Sequence, residues 1–443
     1  MRKILIANRG EIAVRIIRAC QEMGIRTVAV HSTADKDSLH TKLADESICI
    51  GPGPSINSYL NIPAIMCAAE VSGADAIHPG YGFLAESSEF AEVCAQYKIC
   101  FIGPKPEHIL ALGDKIRARG YAIAAKVPLL PGSTGGVNTQ EEAVEVAKRI
   151  GFPVIIKASG GGGGRGMKIV HSTKDLKTQL QIAQSEAQAC FGNPECFIEK
   201  YLTSPRHVEV QLIADTHGTC YALGERDCSI QRRHQKLVEE SPCSALTPAE
   251  RKLVQDKAVA LAKSVGYQSL GTAEFLYEKG EFYFMEMNTR VQVEHPVTEE
   301  VMGLDLIKEQ IRIAQGEKLN PALATRKANG HSIECRVNAE DPVSFAPWPG
   351  LITDYHQPGG PGVRVDSMIY AGYRVPSLYD SMIAKVITHG ADRMEALVRM
   401  RRALREMKVE GIRTNIPFHL RLLEHPKFIA GDFSTAFLQN ETV

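Results

Sequence analysis

Strand and helix patterns alternate through the first hundred residues, and this alternation limits the fold more than any other feature of the chain. Two short apolar runs, KILIAN and TVAVHS, have strand character, and helical periodicity follows in GEIAVRIIRACQEMG and SYLNIPAIMCAAEVSG. Strands joined by helices form parallel sheets, so we expect a doubly wound α/β domain here. Asn8-Arg9-Gly10 follows the first strand in place of a G-x-G-x-x-G fingerprint, which argues against NAD binding.

A run of five glycines, Gly160 to Gly164, interrupts the sequence PVIIKASGGGGGRGMKIV. A strand that ends in Lys157 precedes the run, and Arg165-Gly166 leads into a second short strand. Because glycine lets backbone N–H groups approach a polyphosphate closely, the segment is interpreted as a flap over a nucleotide. The alternative is a flexible linker, since such a run satisfies G-x-G-x-x-G trivially.

The segment GTAEFLYEKGEFYFMEMN is typical of a buried β-hairpin that turns at Lys279-Gly280. A loop centred on Gly280 places Glu274 directly opposite Glu286. Alternation adds four residues to that face: Leu276, Phe282, Phe284 and Asn288. Two opposed buried carboxylates require a shared proton or a cation, and with the amide of Asn288 the pattern favours Mg²⁺. The alternative is a structural ion pair between one glutamate and a distant Lys or Arg.

The segment ERDCSIQRRHQK concentrates hydrogen-bond donors within a dozen residues. They are Arg226, Gln231, Arg232, Arg233, His234 and Lys236. A solvated face or a nucleic-acid patch would explain them, but flanking acidic residues weaken the net charge. Donors arranged around an anionic ligand are the functional interpretation, and the structural one stays open.

The segment NTRVQVEHPVTE places Arg290, Gln292 and Glu294 two residues apart. If the strand of the hairpin continues through them, all three side chains point the same way. A carboxylate beside two donors suits a general base next to an oxyanion site. His295 would face away, in a structural role.

The composition excludes several classes of function. Lys plus Arg number 51 and Asp plus Glu number 51, which argues against an extended nucleic-acid or membrane footprint. The longest apolar runs have the length of strands, and MRKILIA stops being apolar at Asn8, so neither a membrane span nor a signal peptide is expected. The 11 cysteines form no Cys-x-x-Cys pair, which favours reduced thiols and a cytoplasmic protein.

Six strings occur in an order that covers nearly the whole chain. They are ANRGEIA, HPGYGFL, KASGGGGGRGM, ERDCSIQRRHQK, EMNTRVQVEHPVTE and ECRVNAEDP. Together they resemble the biotin carboxylase family of ATP-grasp enzymes. The chain has neither the Met-Lys-Met biotin-attachment site nor a transferase domain, so it resembles the free-standing subunit.

The resemblance implies an α/β architecture of several units and a homodimer. The expected units are a Rossmann-like N-terminal domain at 1–111, a linker at 112–129, a small α+β ATP-grasp lid at 130–202, and the larger α+β ATP-grasp core with the C-terminal domain at 203–443.

By resemblance, one group of residues binds the nucleotide and its metal ion. Lys115 and Lys157 would contact the ATP phosphates beneath the flap residues Gly161, Gly162, Gly163, Gly164 and Gly166. The adenine would meet Glu199, Lys200 and Leu202, and the pocket would be lined by His207, Gln231 and His234. Mg²⁺ or Mn²⁺ would be held by Glu274, Glu286 and Asn288.

A second group would carry out the chemistry. The resemblance assigns bicarbonate to Lys236, Arg290, Gln292 and Val293. It makes Glu294 the general base and Arg336 the group that stabilises the biotin enolate. Tyr81 would lie near the biotin ring.

The implied reaction is ATP-dependent carboxylation of biotin on a carrier protein, with bicarbonate as substrate and carboxyphosphate as intermediate. It is the first half-reaction of acetyl-CoA carboxylase in fatty acid synthesis, and the implied partners are a biotin carboxyl carrier protein and carboxyltransferase subunits. The alternatives are a subunit of pyruvate or propionyl-CoA carboxylase, another ATP-grasp ligase that forms an acyl-phosphate, and a non-catalytic nucleotide sensor.

Overall fold

The computed structural model describes residues 1–137, 139–159 and 167–443. The predicted flap residues Gly161 to Gly164 and Gly166 therefore lie outside the described residues.

A five-stranded parallel sheet forms the N-terminal part, with strand order β3-β2-β1-β4-β5. Its strands are β1 (Lys3–Ile6), β2 (Arg26–His31), β3 (Glu46–Cys49), β4 (Ala76–His78) and β5 (Cys100–Phe101). Its helices are α1 (Gly10–Glu22), α2 (Leu39–Leu43), α3 (Ile62–Ser72) and α4 (Ser88–Gln96). The predicted doubly wound α/β fold is thus confirmed, because β1 lies inside the sheet with chain crossing to both sides.

Two helices lead from this sheet to a second, three-stranded antiparallel sheet of order β7-β6-β8. The elements are α5 (Pro106–Gly113), α6 (Lys115–Ala124), α7 (Gln140–Ile150), β6 (Val154–Ala158), β7 (Met167–Val170), α8 (Thr173–Phe191) and β8 (Cys196–Lys200). The helices α7 and α8 cover the sheet with an apolar core of its own. Asp114 caps α6 by accepting a hydrogen bond from Arg117 N at 2.8 Å.

A large antiparallel sheet of eight strands fills the rest of the molecule. The elements, in chain order, are β9 (Arg206–Ala214), β10 (Cys220–Arg232), β11 (Gln235–Ser241), α9 (Pro248–Ser264), β12 (Ser269–Glu278), β13 (Glu281–Asn288), α10 (His295–Met302), α11 (Leu306–Ala314), β14 (His331–Asn338), β15 (Gly350–Leu351), β16 (Asp354–His356), β17 (Val363–Ser367), β18 (Arg374–Val375), β19 (Met382–Gly390), α12 (Arg393–Glu406), β20 (Lys408–Glu410), α13 (Ile416–Glu424), α14 (Pro426–Ile429) and α15 (Phe437–Asn440). The strand order is β13-β12-β9-β10-β11-β14-β19-β17. Two small ladders, β15-β18 and β16-β20, lie outside this sheet.

The predicted hairpin is formed by β12 and β13, and Glu274 lies opposite Glu286 as expected. The turn is the two-residue Lys279-Gly280, because Glu278 pairs with Glu281. Both turn residues have positive φ, 53° and 87°, as a two-residue hairpin loop requires. The two glutamates still meet because an irregularity in the ladder, just after Glu274, compensates for the shorter loop.

The same irregularity makes one prediction wrong. Phe284 pairs with Phe275 and Phe282 pairs with Tyr277, so the two phenylalanines do not share the face of Glu274. They pack in the apolar core beneath the hairpin, on the side of Phe275. A bulge shifts the side-chain alternation by one residue, and the sequence pattern alone did not reveal it.

None of the helices within the described ranges combines the length and the apolar character that a membrane span needs.

Candidate active site

The ammonium group of Lys236 lies at the centre of a cluster of buried carboxylates. Its Nζ is 2.6 Å from Glu209 Oε2, 3.0 Å from Glu274 Oε1 and 2.6 Å from Glu294 Oε1. The register of β9 and β12 places Glu209 directly beside Glu274, which explains why both reach the same lysine. Burial would lower the pKa of Lys236, but the three carboxylates outweigh it and hold that pKa well above its usual value.

Glu294 precedes α10 as its N-terminal cap residue, and two cations hold its carboxylate. Oε1 contacts Lys236, and Oε2 lies 3.0 Å from Arg336 Nη2. Burial alone would raise the pKa of Glu294, but Lys236, Arg336 and Arg226 together keep it well below its usual range. The group is therefore an anion, charged in the absence of substrate.

The prediction that Arg290, Gln292 and Glu294 share one strand is wrong. β13 ends at Asn288, and a loop leads to the first turn of α10. Pro296 in that first turn favours the start of a helix. Arg290 instead reaches Glu86, with Nε 2.9 Å from Oε2. His295 is buried and its Nδ1 lies 2.8 Å from Gln292 O, consistent with the predicted structural role.

Gln292 connects the predicted bicarbonate residues with the predicted metal ligands. Its Nε2 donates to Glu274 Oε1 at 2.8 Å, and its Oε1 accepts from Arg226 Nη2 at 3.0 Å. Arg226 is completely buried and also donates to Gln211 and to the carboxylate of Glu209. This guanidinium therefore fixes the orientation of the Gln292 amide.

Sequence reasoning missed Glu209 as a member of the site. It lies in HVEVQLIAD, where Glu209 and Gln211 alternate with apolar residues of a buried strand. Polar residues at period two within such a strand were the available indication. The contact with Lys236 could not be predicted from them, because it depends on pairing between distant strands.

Protein cations already compensate the charge of Glu274. Its Oε1 accepts from Lys236 and from Asn288 Nδ2 at 2.8 Å, and its Oε2 lies 3.1 Å from His207 Nε2. Glu274 therefore does form the ion pair with a distant lysine that the structural alternative expects. Asn288 Oδ1, the atom expected to bind a metal ion, accepts from Arg290 Nη2 at 2.9 Å.

Glu286 has a weaker partner, and this supports a metal site. Among the described residues its one ion pair is with Lys115, whose Nζ lies 4.0 Å from Oε2. Burial raises the pKa of Glu286, and the charge of Glu274 raises it further. Two facing carboxylates and an amide oxygen form an oxygen donor set that suits Mg²⁺ or Mn²⁺. The residues present therefore fit the predicted ion.

The predicted ATP residues Lys157, Glu199 and Lys200 lie on the paired strands β6 and β8 of the small sheet. Lys157 Nζ is 2.7 Å from Glu199 Oε2, and Arg119 contacts the other oxygen of Glu199. The ammonium group of Lys200 donates a hydrogen bond to Phe152 O at 2.9 Å. Leu202 follows β8 in the loop that leads to β9.

A hairpin turn brings His234 toward the same region. Arg233 and His234 connect β10 to β11 and have positive φ values of 49° and 65°. Burial lowers the pKa of His234, and the charges of Lys157 and His207 lower it further. Gln231 Nε2 lies 3.5 Å from His207 Nδ1. Gln231 and His207 are therefore neighbours, and the charges of Lys157 and His207 both act on His234.

Tyr81 reaches the cluster through a buried lysine. Its hydroxyl donates to Glu11, whose Oε1 lies 3.2 Å from Lys385 Nζ. Lys385 also donates to Val293 O at 2.7 Å. The structure therefore links Tyr81 to the peptide next to Glu294, although the two side chains have no direct contact.

Three family models match successive parts of the chain. The biotin carboxylase N-terminal domain matches residues 1–109, and the ATP binding domain of the carbamoyl-phosphate synthase L chain matches residues 114–322. The biotin carboxylase C-terminal domain matches residues 334–440.

Complete relatives and solved structures agree with these models. Biotin carboxylase 1 of Bacillus subtilis is 55% identical over 446 residues, which cover 100% of this chain and 99% of that protein. A biotin carboxylase complex with βγ-ATP from Campylobacter jejuni superposes with a TM-score of 0.97 at 50% identity, covering 99% of both chains. The biotin carboxylase domain dimer of Hydrogenobacter thermophilus 2-oxoglutarate carboxylase, in complex with MgADP, ADP and bicarbonate, gives 0.94 at 47% identity and covers 99% of this chain and 97% of its own. The chain therefore belongs to the biotin carboxylase family of ATP-grasp enzymes.

Proposed function

We propose that this ATP-dependent carboxylase attaches CO₂ from bicarbonate to biotin on a separate carrier protein, with Glu294, Lys236 and Arg336 as its principal catalytic groups. The observation that supports the proposal most is the position of Glu294, whose carboxylate lies between the other two side chains. A base and two cations around one small space suit proton removal from an anion that then attacks a phosphate.

Glu294 would take the proton of bicarbonate. A carboxylate held by two cations is a weak base, so a substrate anion must draw at least one cation away before proton transfer becomes favourable. Lys236 can do this by exchange, because its three N–H donors bind Glu209, Glu274 and Glu294, and bicarbonate would replace Glu294 as the acceptor of one of them. Bicarbonate held by Lys236, Arg290, Gln292 and the Val293 backbone would therefore raise the basicity of Glu294 as it binds.

The phosphate side of the reaction would use the opposite part of the cluster. Glu274, Glu286 and Asn288 would hold Mg²⁺ or Mn²⁺, which supplies positive charge to the ATP phosphates during transfer to bicarbonate. Lys115 lies beside Glu286, and Lys157 would leave Glu199 to contact the same phosphates. Both lysines would thus neutralise charge as carboxyphosphate and ADP form.

The nucleotide would be enclosed between the small sheet and the large one. Residues 130–202 would act as a mobile lid after the linker 112–129, between the domain at 1–111 and the core at 203–443. The adenine would lie against Glu199, Lys200 and Leu202, with His207, Gln231 and His234 along the pocket. Closure of such a lid excludes water, which would otherwise destroy carboxyphosphate.

Carboxyphosphate would break down to CO₂ and phosphate, and the phosphate would take the proton of the biotin ureido nitrogen. Arg336 would stabilise the resulting oxyanion until the nitrogen bonds to CO₂. Its guanidinium Nη2 already lies 3.0 Å from Glu294, so the biotin site borders the bicarbonate site. Tyr81, connected through Glu11 and Lys385, would form the side of the pocket that meets the biotin ring.

The partners are proposed from curated relatives named biotin carboxylase, of which the chain covers 98–99%. We propose a biotin carboxyl carrier protein and carboxyltransferase subunits of a cytoplasmic acetyl-CoA carboxylase, with the chain itself as a homodimer. A pyruvate or propionyl-CoA carboxylase is the alternative setting. Co-purification with a biotinylated protein, followed by identification of the acyl-CoA or keto acid that it carboxylates, separates these settings.

Incubation with ATP, Mg²⁺ and radiolabelled bicarbonate tests the proposed function directly. Free biotin should stimulate ADP release and yield labelled carboxybiotin. Phosphate release that responds to an amine or amino acid, and not to biotin, would contradict the proposal and support another ATP-grasp ligase. Nucleotide binding without turnover would support a sensor.

A further inference from the structure

A second pair of opposed glutamates lies beside Arg336. Glu239 on β11 is the cross-strand neighbour of Glu334 on β14. Side chains paired in this way lie on the same face of an antiparallel sheet, with Cβ atoms about 5 Å apart. Both side chains have an exposed fraction of 0%. Two carboxyl groups therefore lie next to each other, away from water.

The pair has too few hydrogen-bond partners for two charges. Glu239 Oε1 accepts from Arg336, 2.6 Å from Nε and 2.5 Å from Nη2. Glu239 Oε2 and both oxygens of Glu334 are buried without a hydrogen-bond partner in the described part of the chain. An ionised carboxylate in such surroundings is strongly unfavourable. A single proton held between the two groups would remove one charge and provide one donor.

The cations near Glu239 and Glu334 also form ion pairs with other carboxylates. Arg336 also contacts Glu294, and Lys236 is shared by three further glutamates. Lys385 faces Glu334 from β19, but its ion pairs are with Glu11 and Asp366. The other titratable groups near the pair are Tyr81 after β4 and Cys228 on β10, whereas Cys335 on β14 lies on the opposite face of the sheet.

The pKa values of Glu334 and Glu239 are both shifted upward, the direction that favours a retained proton. Burial raises the pKa of Glu334 well above its usual value, and the charge of Glu239 adds to the shift against the opposing effect of Lys385. Burial also raises the pKa of Glu239 to about 7, although Arg336 lowers it and Glu294 raises it.

We propose that Glu239 and Glu334 share one proton and act as positioning residues that present a single negative charge to Arg336. One charge holds the guanidinium in place without binding it too tightly, so that Arg336 can exchange Glu294 for the oxyanion of biotin. The inference deepens the proposed function, because it rests on the assignment of Arg336 to the biotin step.

Infrared spectroscopy detects the proton independently of catalysis. The wild-type enzyme, with isotope-labelled glutamate carboxyls, should show at neutral pH a carbonyl band of protonated carboxylic acid that is missing from Glu334→Gln, because Glu239 alone would ionise beside Arg336. Protonated-carboxyl intensity that is equal in the two proteins would overturn the proposal. If the variant folds poorly, the wild-type spectrum still reports the proton, because the isotope label by itself identifies the carbonyl band as that of a glutamate carboxyl group.

Kinetics of single and double variants test the positioning role. Glu334→Gln keeps one charge and should retain biotin-dependent turnover within about threefold, whereas Glu239→Gln with Glu334→Gln removes it and should lower that turnover about 100-fold. Bicarbonate-dependent ATP hydrolysis without biotin should fall much less than biotin-dependent turnover in the double variant, because Arg336 would act on biotin directly but on the bicarbonate step only through its ion pair with Glu294. The proposal is wrong if Glu334→Gln alone is as damaging as the double variant, or if the double variant is fully active. A wild-type enzyme that ignores biotin would instead contradict the proposed function.

Discussion

Lys236 Nζ lies 2.6 Å from Oε1 of Glu294, and this contact joins the second residue of β11 to the residue that caps α10. The two groups belong to different elements and are largely shielded from water, with exposed side-chain fractions of 13% for Lys236 and 2% for Glu294. Because Lys236 serves Glu209 and Glu274 as well, it links the proposed base to the proposed metal site. The charge of one lysine therefore influences both halves of the reaction.

Replacement of Lys236 by glutamine should lower turnover about 100-fold to 1,000-fold, as expected for loss of a charged donor at a developing anion. The variant keeps a polar side chain but leaves three carboxylates without their common cation. Steady-state kinetics with biotin measure the effect. Lys252→Gln is the control, because Lys252 forms an exposed ion pair with Asp256. A loss below threefold would contradict the role assigned to Lys236.

Replacement of Glu286 by glutamine should raise the Mg²⁺ concentration needed for half-maximal activity by at least about tenfold, because one anionic oxygen ligand is lost. Stability should not fall, since Glu286 is repelled by Glu274 and its ion pair with Lys115 is long. Mg²⁺ titration of activity and urea unfolding measure the two effects. Glu281→Gln, on the exposed end of the same strand, is the control. An unchanged Mg²⁺ requirement would exclude Glu286 as a ligand.

Replacement of Arg226 by methionine should lower the free energy of unfolding by about 3–5 kcal/mol, because Glu209 and the Gln292 amide lose a buried partner. Denaturant unfolding measures the change. Arg405→Met provides the comparison, since Arg405 pairs with Glu424 at the surface and its loss should fall within about 1 kcal/mol. Equal effects would show that the Arg226 network contributes little to stability.

The stability of the enzyme should decrease in acid partly through Glu240. Burial would raise the pKa of Glu240, but the hydrogen bond from His331 and the charge of Arg393 lower it to about 2. A depressed pKa stabilises the folded state above the unfolded pKa of about 4.3, and this contribution of roughly 3 kcal/mol is lost as pH falls toward 2. Glu240→Gln should therefore flatten the pH dependence of the unfolding free energy between these values. An unchanged slope would show that Glu240 has an ordinary pKa.

The sequence predicts the central strands β1 and β2 of the parallel sheet well, because each is a continuous apolar run next to a helical pattern. β1, α1, β2 and α3 overlap the segments KILIAN, GEIAVRIIRACQEMG, TVAVHS and SYLNIPAIMCAAEVSG, in that order. The edge strand β3 carries no such run, since ESIC alternates between exposed and half-buried residues. Strands that are buried on one side only leave a weaker pattern.

The sequence predicts which residues form the candidate site better than it predicts how those residues are arranged. The opposition of Glu274 and Glu286 follows from local pairing within one hairpin, and the structure has it. The strand expected through Arg290 and Gln292 is a loop, because period-two spacing of polar residues is not unique to strands. Glu209 joins Lys236 through pairing of distant strands, which no local pattern encodes.

The most direct test of the account is biotin carboxylation by Glu294→Gln. Loss of the carboxylate removes the proposed base while amide and carboxylate have nearly the same shape, so turnover with bicarbonate and biotin should fall at least about 100-fold with nucleotide binding retained. Glu281→Gln should behave as wild type in the same assay. If Glu294→Gln keeps bicarbonate-dependent turnover within a few fold of wild type, Glu294 is not the base and the mechanism proposed for this cluster is wrong.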